Sequence, residues 1–430
     1  MSGEAAAVVK ASGRQREIWR LRGEFGDTSL LNIFTIHRIT GPLDVDAMRR
    51  AITHVAARQR LLATFFEGTE PTMRECDPPA LQVIDHVNAT EEQITDVCRD
   101  AISYIFDFGI PEPLFRPTLI RVGDREHILI LLLHFLNCDR RSLSVLFREI
   151  VTAYDSDAGA PQLPPVERQY AELIARSDPD ADWGFWRRRL SGLPRLRLGG
   201  QPDAAPSAMS ADFARHLGAW SEDLAAALAR HCASARVTPF VGTAAAVFAA
   251  MRRRSNTDDL RLTTMFVNRI TEQERALVGP FSQGLMLRLN VDQGCSYSAL
   301  EASIRRELFQ GISHRAMPFD EIVRRLTIED GMERDDIAPV WLDDVESFSS
   351  DSAMFGAAKA ERFELFDDRL RLPGNTVNIF LDQRPAELRI STMASLARLT
   401  AEQTTEFTQE VERHLVQLAQ DNSVRIDQID

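Results

Sequence analysis

The stretch His134-Phe135-Leu136-Asn137-Cys138-Asp139-Arg140, directly after the apolar run Ile128 to Leu133, decides how this chain is read. An apolar run ending in a histidine, with an aspartate five residues later, predicts a buried strand delivering polar side chains to its exit loop. A loop held by a rigid sheet is a good place for chemistry, so this loop is the first candidate site. Ser142 to Tyr154 then has the spacing of an amphipathic helix.

Working outward, Gln15, Ile18, Trp19 and Leu21 have helical spacing, and Asn32 to Ile39 reads as a strand closed by Gly41-Pro42. Asp44 or Asp46 is placed to cap a helix running to about Gln59. A strand at Leu62 to Glu67, a helix at Thr90 to Tyr104 and strands at Pro117 to Val122 and His127 to His134 follow. Ala158 to Pro165 and Leu198 to Ser210 read as links around a helical stretch with Trp183, Trp186 and Leu190. From Asp212 a second α/β run is expected. It has helices at Ser221 to Ser234, Pro239 to Met251 and Ala401 to Leu418, and strands at Leu260 to Val267, Leu285 to Val291 and Asn378 to Asp382. The shared rhythm of the halves predicts an α/β protein of two similar lobes, 1–175 and 176–430.

At 430 residues the chain is long enough for two cores, and its 44% hydrophobic and 26% charged content is ordinary for a globular protein. A net charge of -13 with a pI near 5.3 argues against nucleic acid or an anionic membrane as the main partner. The runs Arg187 to Arg189 and Arg252 to Arg254 read as solvated helix faces. Cys76, Cys98, Cys138, Cys232 and Cys295 form no CxxC pair, which fits free thiols in a reducing cytoplasm and predicts no metal site. Met1 to Lys10 is too short for a signal-peptide core. No apolar run reaches the ~18 residues that span a bilayer, so no membrane association and a cytoplasmic location are expected.

From Ser12 to Leu418 the landmarks resemble the condensation-domain superfamily of nonribosomal peptide synthesis. Ser12 to Leu21 is similar to its opening motif, and Gly41-Pro42-Leu43-Asp44 to its Gly-x-Leu-Asp turn. Arg58 to Phe66 resembles RHExLRTxF, with Gln59, Arg60 and Ala63 departing from it. Phe185-Trp186-Arg187 through Gly192-Leu193-Pro194 resembles the inter-lobe segment. Val278 to Gln283 with Arg288 resembles GxFxN…R, and His314 to Asp320 resembles HQDxPFE. Arg334-Asp335 with Pro339 is a shortened last motif. The resemblance implies two chloramphenicol-acetyltransferase-like lobes in a V-shaped pseudo-dimer with a central tunnel. It also implies that substrates arrive as thioesters on the phosphopantetheine arm of an acyl or peptidyl carrier protein, with no other cofactor.

The family's active loop is HHxxxDG. Phe135 stands where its second His, which orients or deprotonates the attacking amine, is expected, and Arg140 where Gly is expected. Phenylalanine accepts no proton, and losing one general base removes a factor of about 10²–10⁴. Cys138 is the replacement considered, as a nucleophile activated by His134, His37 or His314, its alternative being inert packing. His134 has a structural alternative too. Family analogy gives Asp139 a structural role paired with an arginine, Arg288 being one candidate. Arg140 either binds an anion or pairs with Asp139. Phe135, His37, Asn268, Ser282, Gln283 and Asp343 are expected along the tunnel, where Asp343-Asp344 would hold a cationic amine or simply end a strand.

Two functions compete. One is a stand-alone condensation enzyme of an antibiotic pathway, joining a carrier-bound aminoacyl group to a small amine acceptor, with lincosamide amide synthetases as an analogous type. The chain's beginning at Met1 and ending soon after the last family helix suggests "stand-alone". The other is a silent condensation-like domain that recruits a partner enzyme to a carrier protein. An ester-forming acyltransferase is a third, weaker reading.

Overall fold

The apolar run at 128–133 is unbroken because both of its faces are buried, and the sheet around it explains why. The computed structural model describes residues 9–25, 29–155, 163–174, 180, 182–199, 213–255, 257–346, 352–363, 365, 374, 376–384 and 386–428. Residues 158–162 and 200–210 of the two predicted links, and Asp212, lie outside these, as does 1–8 of the N-terminus.

The chain opens with β1 (Val9–Lys10), α1 (Gly13–Phe25), β2 (Asn32–Thr40), α2 (Val45–Arg58), β3 (Thr64–Glu67), β4 (Thr72–Glu75), β5 (Gln82–Asp85) and α3 (Glu91–Ile102). It continues with β6 (Phe115–Gly123), β7 (Glu126–His134), α4 (Arg140–Tyr154), α5 (Tyr170–Ile174), α6 (Trp183–Leu190), β8 (Phe213–Leu217), α7 (Glu222–Ala235), α8 (Pro239–Arg254) and β9 (Asp259–Phe266). Then come α9 (Glu272–Arg275), β10 (Gln283–Asn290), α10 (Tyr297–Ser313), α11 (Phe319–Asp330), α12 (Arg334–Ile337) and β11 (Val340–Glu346). The last elements are β12 (Ala353–Phe355), β13 (Ala358–Arg362), β14 (Val377–Gln383), β15 (Leu388–Ser395) and α13 (Ala401–Gln420).

Two compact units result. Unit 1 is 1–177, 267–282 and 350–370; unit 2 is 178–266, 283–349 and 371–430. The expected division at 175/176 is thus corrected, because two later segments belong with the N-terminal unit. Strand pairing gives one reason: β13 runs antiparallel beside β2, with Ala360 opposite Ile39. Gly41 permits that approach, since a Cβ there would lie 2.7 Å from the Ala358 Cα and its φ is +128°.

Unit 1 holds a six-stranded sheet in the order β12-β13-β2-β7-β6-β5 and a three-stranded sheet β1-β4-β3. In β7, Leu129, Leu131 and Leu133 pack into one core with Cys138, Leu146 and Phe147. Ile128, Ile130 and Leu132 pack on the other face with Ile18, Phe66 and Ile94. The two-residue period of a strand sends alternate side chains to opposite cores, so no polar position interrupts the run.

Unit 2 has a second six-stranded sheet, β10-β9-β11-β14-β15-β8. Its central helix α8 starts at Pro239, a residue suited to a first helical position, with Thr238 capping it. Ala244 to Ala246, Ala249 and Ala250 of α8 are buried, so small side chains let neighbouring elements approach closely. Among the described residues no single helix is long and apolar enough to cross a membrane. The arginine runs meet acids on adjoining elements: Arg187 pairs with Glu329 and Asp330, and Arg254 with Glu406 and Glu410.

Candidate functional site

The loop after β7 is built from groups that are mostly closed to solvent. His134 is buried, and its Nδ1 accepts a hydrogen bond from the Leu136 N–H at 3.2 Å. The rings of Phe106 and Phe108 meet it edge-on. Burial, aided by the Arg22 cation, pushes the imidazole pKa down to about 3, so His134 is neutral at physiological pH and a poor base. Phe135 is half-buried and packs against both cores of unit 1.

Cys138 does not fit the nucleophile considered for it. The side chain is fully buried in the core, with Sγ 3.6 Å from the His134 carbonyl oxygen. Burial first, and then the Asp139 charge, push its thiol well above the ordinary range, so the reactive thiolate is suppressed. His37 is equally unsuited as an activator: it is buried, stacked 3.7 Å from Phe147 and hydrogen-bonded at Nε2 to Thr35. His314, in unit 2, stacks on Phe185 at 3.7 Å.

Asp139 is the structural centre of the loop. It caps α4, where its Oδ1 accepts from the Ser142 N–H at 2.9 Å, and it takes the Ser142 hydroxyl at 2.8 Å. The same oxygen meets Arg269 Nη2 at 2.9 Å, while Oδ2 accepts from the N–H and hydroxyl of Ser282 at 3.0 and 2.9 Å. Arg288 is therefore not its partner. Arg288 lies in the middle of β10, where Asp259 takes its guanidinium through both oxygens at 2.6 and 2.8 Å. Arg269 reaches Asp139 because Asn268, at φ +51°, turns the chain sharply after β9. Asparagine tolerates that left-handed conformation better than most residues, which gives Asn268 a turn-forming role.

The remaining expected residues fall in separate places. Arg140 opens α4 and is exposed, while both Asp139 oxygens are engaged by Arg269, Ser142 and Ser282. In unit 2, Gln283 starts β10 and donates to the Arg315 carbonyl at 2.9 Å. Asp343 Oδ1 accepts from the Met265 N–H at 3.1 Å, and Asp344 from Gln383 at 2.8 Å. Both acids are thus strand-borne groups within one sheet.

Several positioning residues escaped the sequence reading. Gln59 donates to Glu149 and to the Ala276 carbonyl, and accepts from the Val278 N–H, holding 276–278 against α2 and α4. Ser142 Oγ accepts from the Gly279 N–H at 3.0 Å and lies 3.0 Å from the Gly279 carbonyl oxygen. The departure at Gln59 from the family motif was the visible signal; nothing comparable marked Ser142. Gly279 is needed for close approach: a Cβ there would lie 2.4 Å from the buried Tyr170 ring. Gly279→Ala is expected to destabilise unit 1 by about 1–3 kcal/mol through overpacking. Urea denaturation would check this, and an unchanged midpoint would contradict it.

A family model for the condensation domain matches residues 6–343. The sequence is 31% identical over 340 residues to CymA of Salinispora arenicola, a probable non-canonical nonribosomal peptide synthetase; the match covers 74% of this chain and 4% of that protein's length. The X-domain from teicoplanin biosynthesis superposes with a TM-score of 0.83 at 20% identity, covering 100% of this chain and 98% of that one. The same domain in complex with OxyB gives 0.81 at 21% identity, covering 100% and 97%. The condensation domain of the Monacolin K polyketide synthase MokA gives 0.82 at 19% identity, covering 98% and 99%. The structural likenesses establish the fold, an α/β architecture of the chloramphenicol-acetyltransferase type. The extent of the family match establishes more: this chain belongs to the condensation-domain family.

Proposed function

We propose that this chain is a condensation-fold domain that binds a carrier-delivered chain and recruits a partner enzyme to it, without catalysing acyl transfer. One observation carries the reading: the loop from His134 to Asp139 offers no side chain able to take a proton from an attacking amine. Phe135 is a hydrocarbon, His134 is buried with its pKa at about 3, and the Cys138 thiol is closed in the core. Asp139 is committed to Arg269, Ser142 and Ser282. Fold likeness does not choose between functions, because an X-domain and a condensation domain superpose equally well. The X-domain found in complex with OxyB illustrates the recruiting role.

The retained scaffold around Asp139 supports a second reading. In it the domain forms an amide with a small amine acceptor, of the lincosamide kind or another, relying on proximity with no general base. Incubating the protein with an aminoacyl-loaded carrier protein and an amine, followed by intact-mass analysis, separates the two. The expected result is carrier binding, no acyl adduct on the protein and no amide above the uncatalysed rate. Amide formation 100-fold or more above that rate would overturn the proposal.

A further inference from the structure

Asn137 is fully buried, and neither its Oδ1 nor its Nδ2 has a hydrogen-bond partner. Its backbone is not the cause, since the Asn137 N–H donates to the His134 carbonyl at 2.9 Å. The neighbouring polar groups are also engaged: the Leu136 carbonyl accepts from Gln15 Nε2 at 2.9 Å, and Asp139 is bonded through both oxygens. The orphaned atoms are thus those of one carboxamide, with two donors and one double acceptor. Native proteins rarely leave such a group unbonded, and each one calls for an explanation, such as strain, a bound water or ion, or a functional contact. Leu136 and Cys138, on either side, are buried in different apolar cores, so nothing in the adjoining chain calls for an amide at this position.

We propose that Asn137 is a recognition residue for an extended peptidyl group, a reading that rests on the loop being a binding site for a carrier-delivered chain. In an extended chain the N–H and C=O of one residue point to the same side, the arrangement by which antiparallel strands exchange paired bonds. A carboxamide matches that pair: Nδ2 donates to the C=O and Oδ1 accepts from the N–H. Asn137 is closed over in the free protein, so the loop parts to admit the ligand, and the half-buried Phe135 is its partly exposed neighbour. The inference narrows the ligand to a peptidyl chain, since a bare pantetheine arm has no α-amino-acid residue to present the pair.

Titration calorimetry tests this on the whole protein with three probes: aminopantetheine, its N-acetyl-dialanyl amide, and the same dipeptidyl probe with an ester replacing the inner N–H. Wild type is expected to bind the dipeptidyl probe more tightly than aminopantetheine, and to lose roughly tenfold with the ester. Asn137→Leu should bind the dipeptidyl probe roughly 10- to 100-fold more weakly and not distinguish amide from ester. The Tm of free Asn137→Leu should be unchanged or raised, because an apolar side chain removes unbonded polar atoms. A fall of several degrees would mean that the amide holds a structural water, and would overturn the inference. So would equal affinity of wild type for the amide and ester probes, a result independent of how the variant folds. If wild type binds aminopantetheine but shows no preference for the dipeptide, this inference fails alone. If wild type binds none of the probes, the proposed function fails with it.

Discussion

Replacing Arg269 by alanine is expected to destabilise unit 1 by about 3–5 kcal/mol, the range for removing one partner of a buried ion pair. The Arg269 side chain is 1% exposed and its Asp139 partner 6%. Its guanidinium also donates to the carbonyls of Glu274, Leu277 and Gly279, so it shapes its own segment while reaching the loop. Deleting it leaves the Asp139 carboxylate buried with neutral donors from Ser142 and Ser282 only. Arg269→Lys should recover little, because a point-like ammonium cannot reproduce a planar fork with several fixed donors. In a double-mutant cycle, Asp139→Ala with Arg269→Ala should lose clearly less than the two single changes added together, since the second change removes a charge already unpaired. Urea denaturation of the four proteins measures this directly. A loss under about 1 kcal/mol for Arg269→Ala would show that the pair is no more than a surface-strength contact.

That ion pair also marks where the sequence stops being informative. The strand, loop and helix from Ile128 to Tyr154 were legible because alternation and capping are local signals, and Asp139 caps α4 through Ser142. The arginine partner was not legible, because Arg269 follows β9 and Arg288 lies within β10, and composition does not separate them. What separates them is backbone geometry at Asn268 and the presence of Asp259 beside Arg288. Helix α10 went unread for another reason: its buried face mixes Tyr297, Leu300 and Ile304 with Glu301 and Glu307, while Phe309 is 74% exposed. Glu301 sits there because His231 meets it at 2.7 Å, a pairing distant in sequence. Strand β15 was hidden in the same way, by buried Ser391, Thr392 and Ser395 among its apolar residues. The choice between the two readings of Cys138 was not legible, because position in a loop says nothing about burial, and the core of β7 and α4 extends to include it.

Mild acid should destabilise both units, and the sign follows from two histidines that the fold keeps neutral. Burial pushes His134 down to about 3 and His414 down to about 4, both below the ordinary 6.5. A depressed folded pKa means that the unfolded chain takes up a proton first. Stability from each group is therefore fully present above about pH 6.5 and is lost as pH falls toward the folded value. At pH 5 each histidine has removed roughly 2 kcal/mol, from 1.36 kcal/mol per pH unit over the interval below 6.5. His134 acts on unit 1 and His414 on unit 2. Glu149 and Glu412, whose carboxyls burial pushes up, work in the opposite direction and offset part of the loss. Substitution isolates the histidine contribution. In His134→Asn the side-chain oxygen can still accept the Leu136 N–H, and in His414→Asn it can take the Tyr297 hydroxyl that now meets Nδ1 at 2.5 Å. Neither variant titrates at that position, so each should flatten the fall in stability between pH 6.5 and 5 by about 1.4 kcal/mol per pH unit. Urea midpoints taken across that interval give the slopes. If His134→Asn keeps the wild-type slope for unit 1, His134 is not the neutral, caged group that its aromatic neighbours Phe106 and Phe108 make it here, and the loop regains a candidate base.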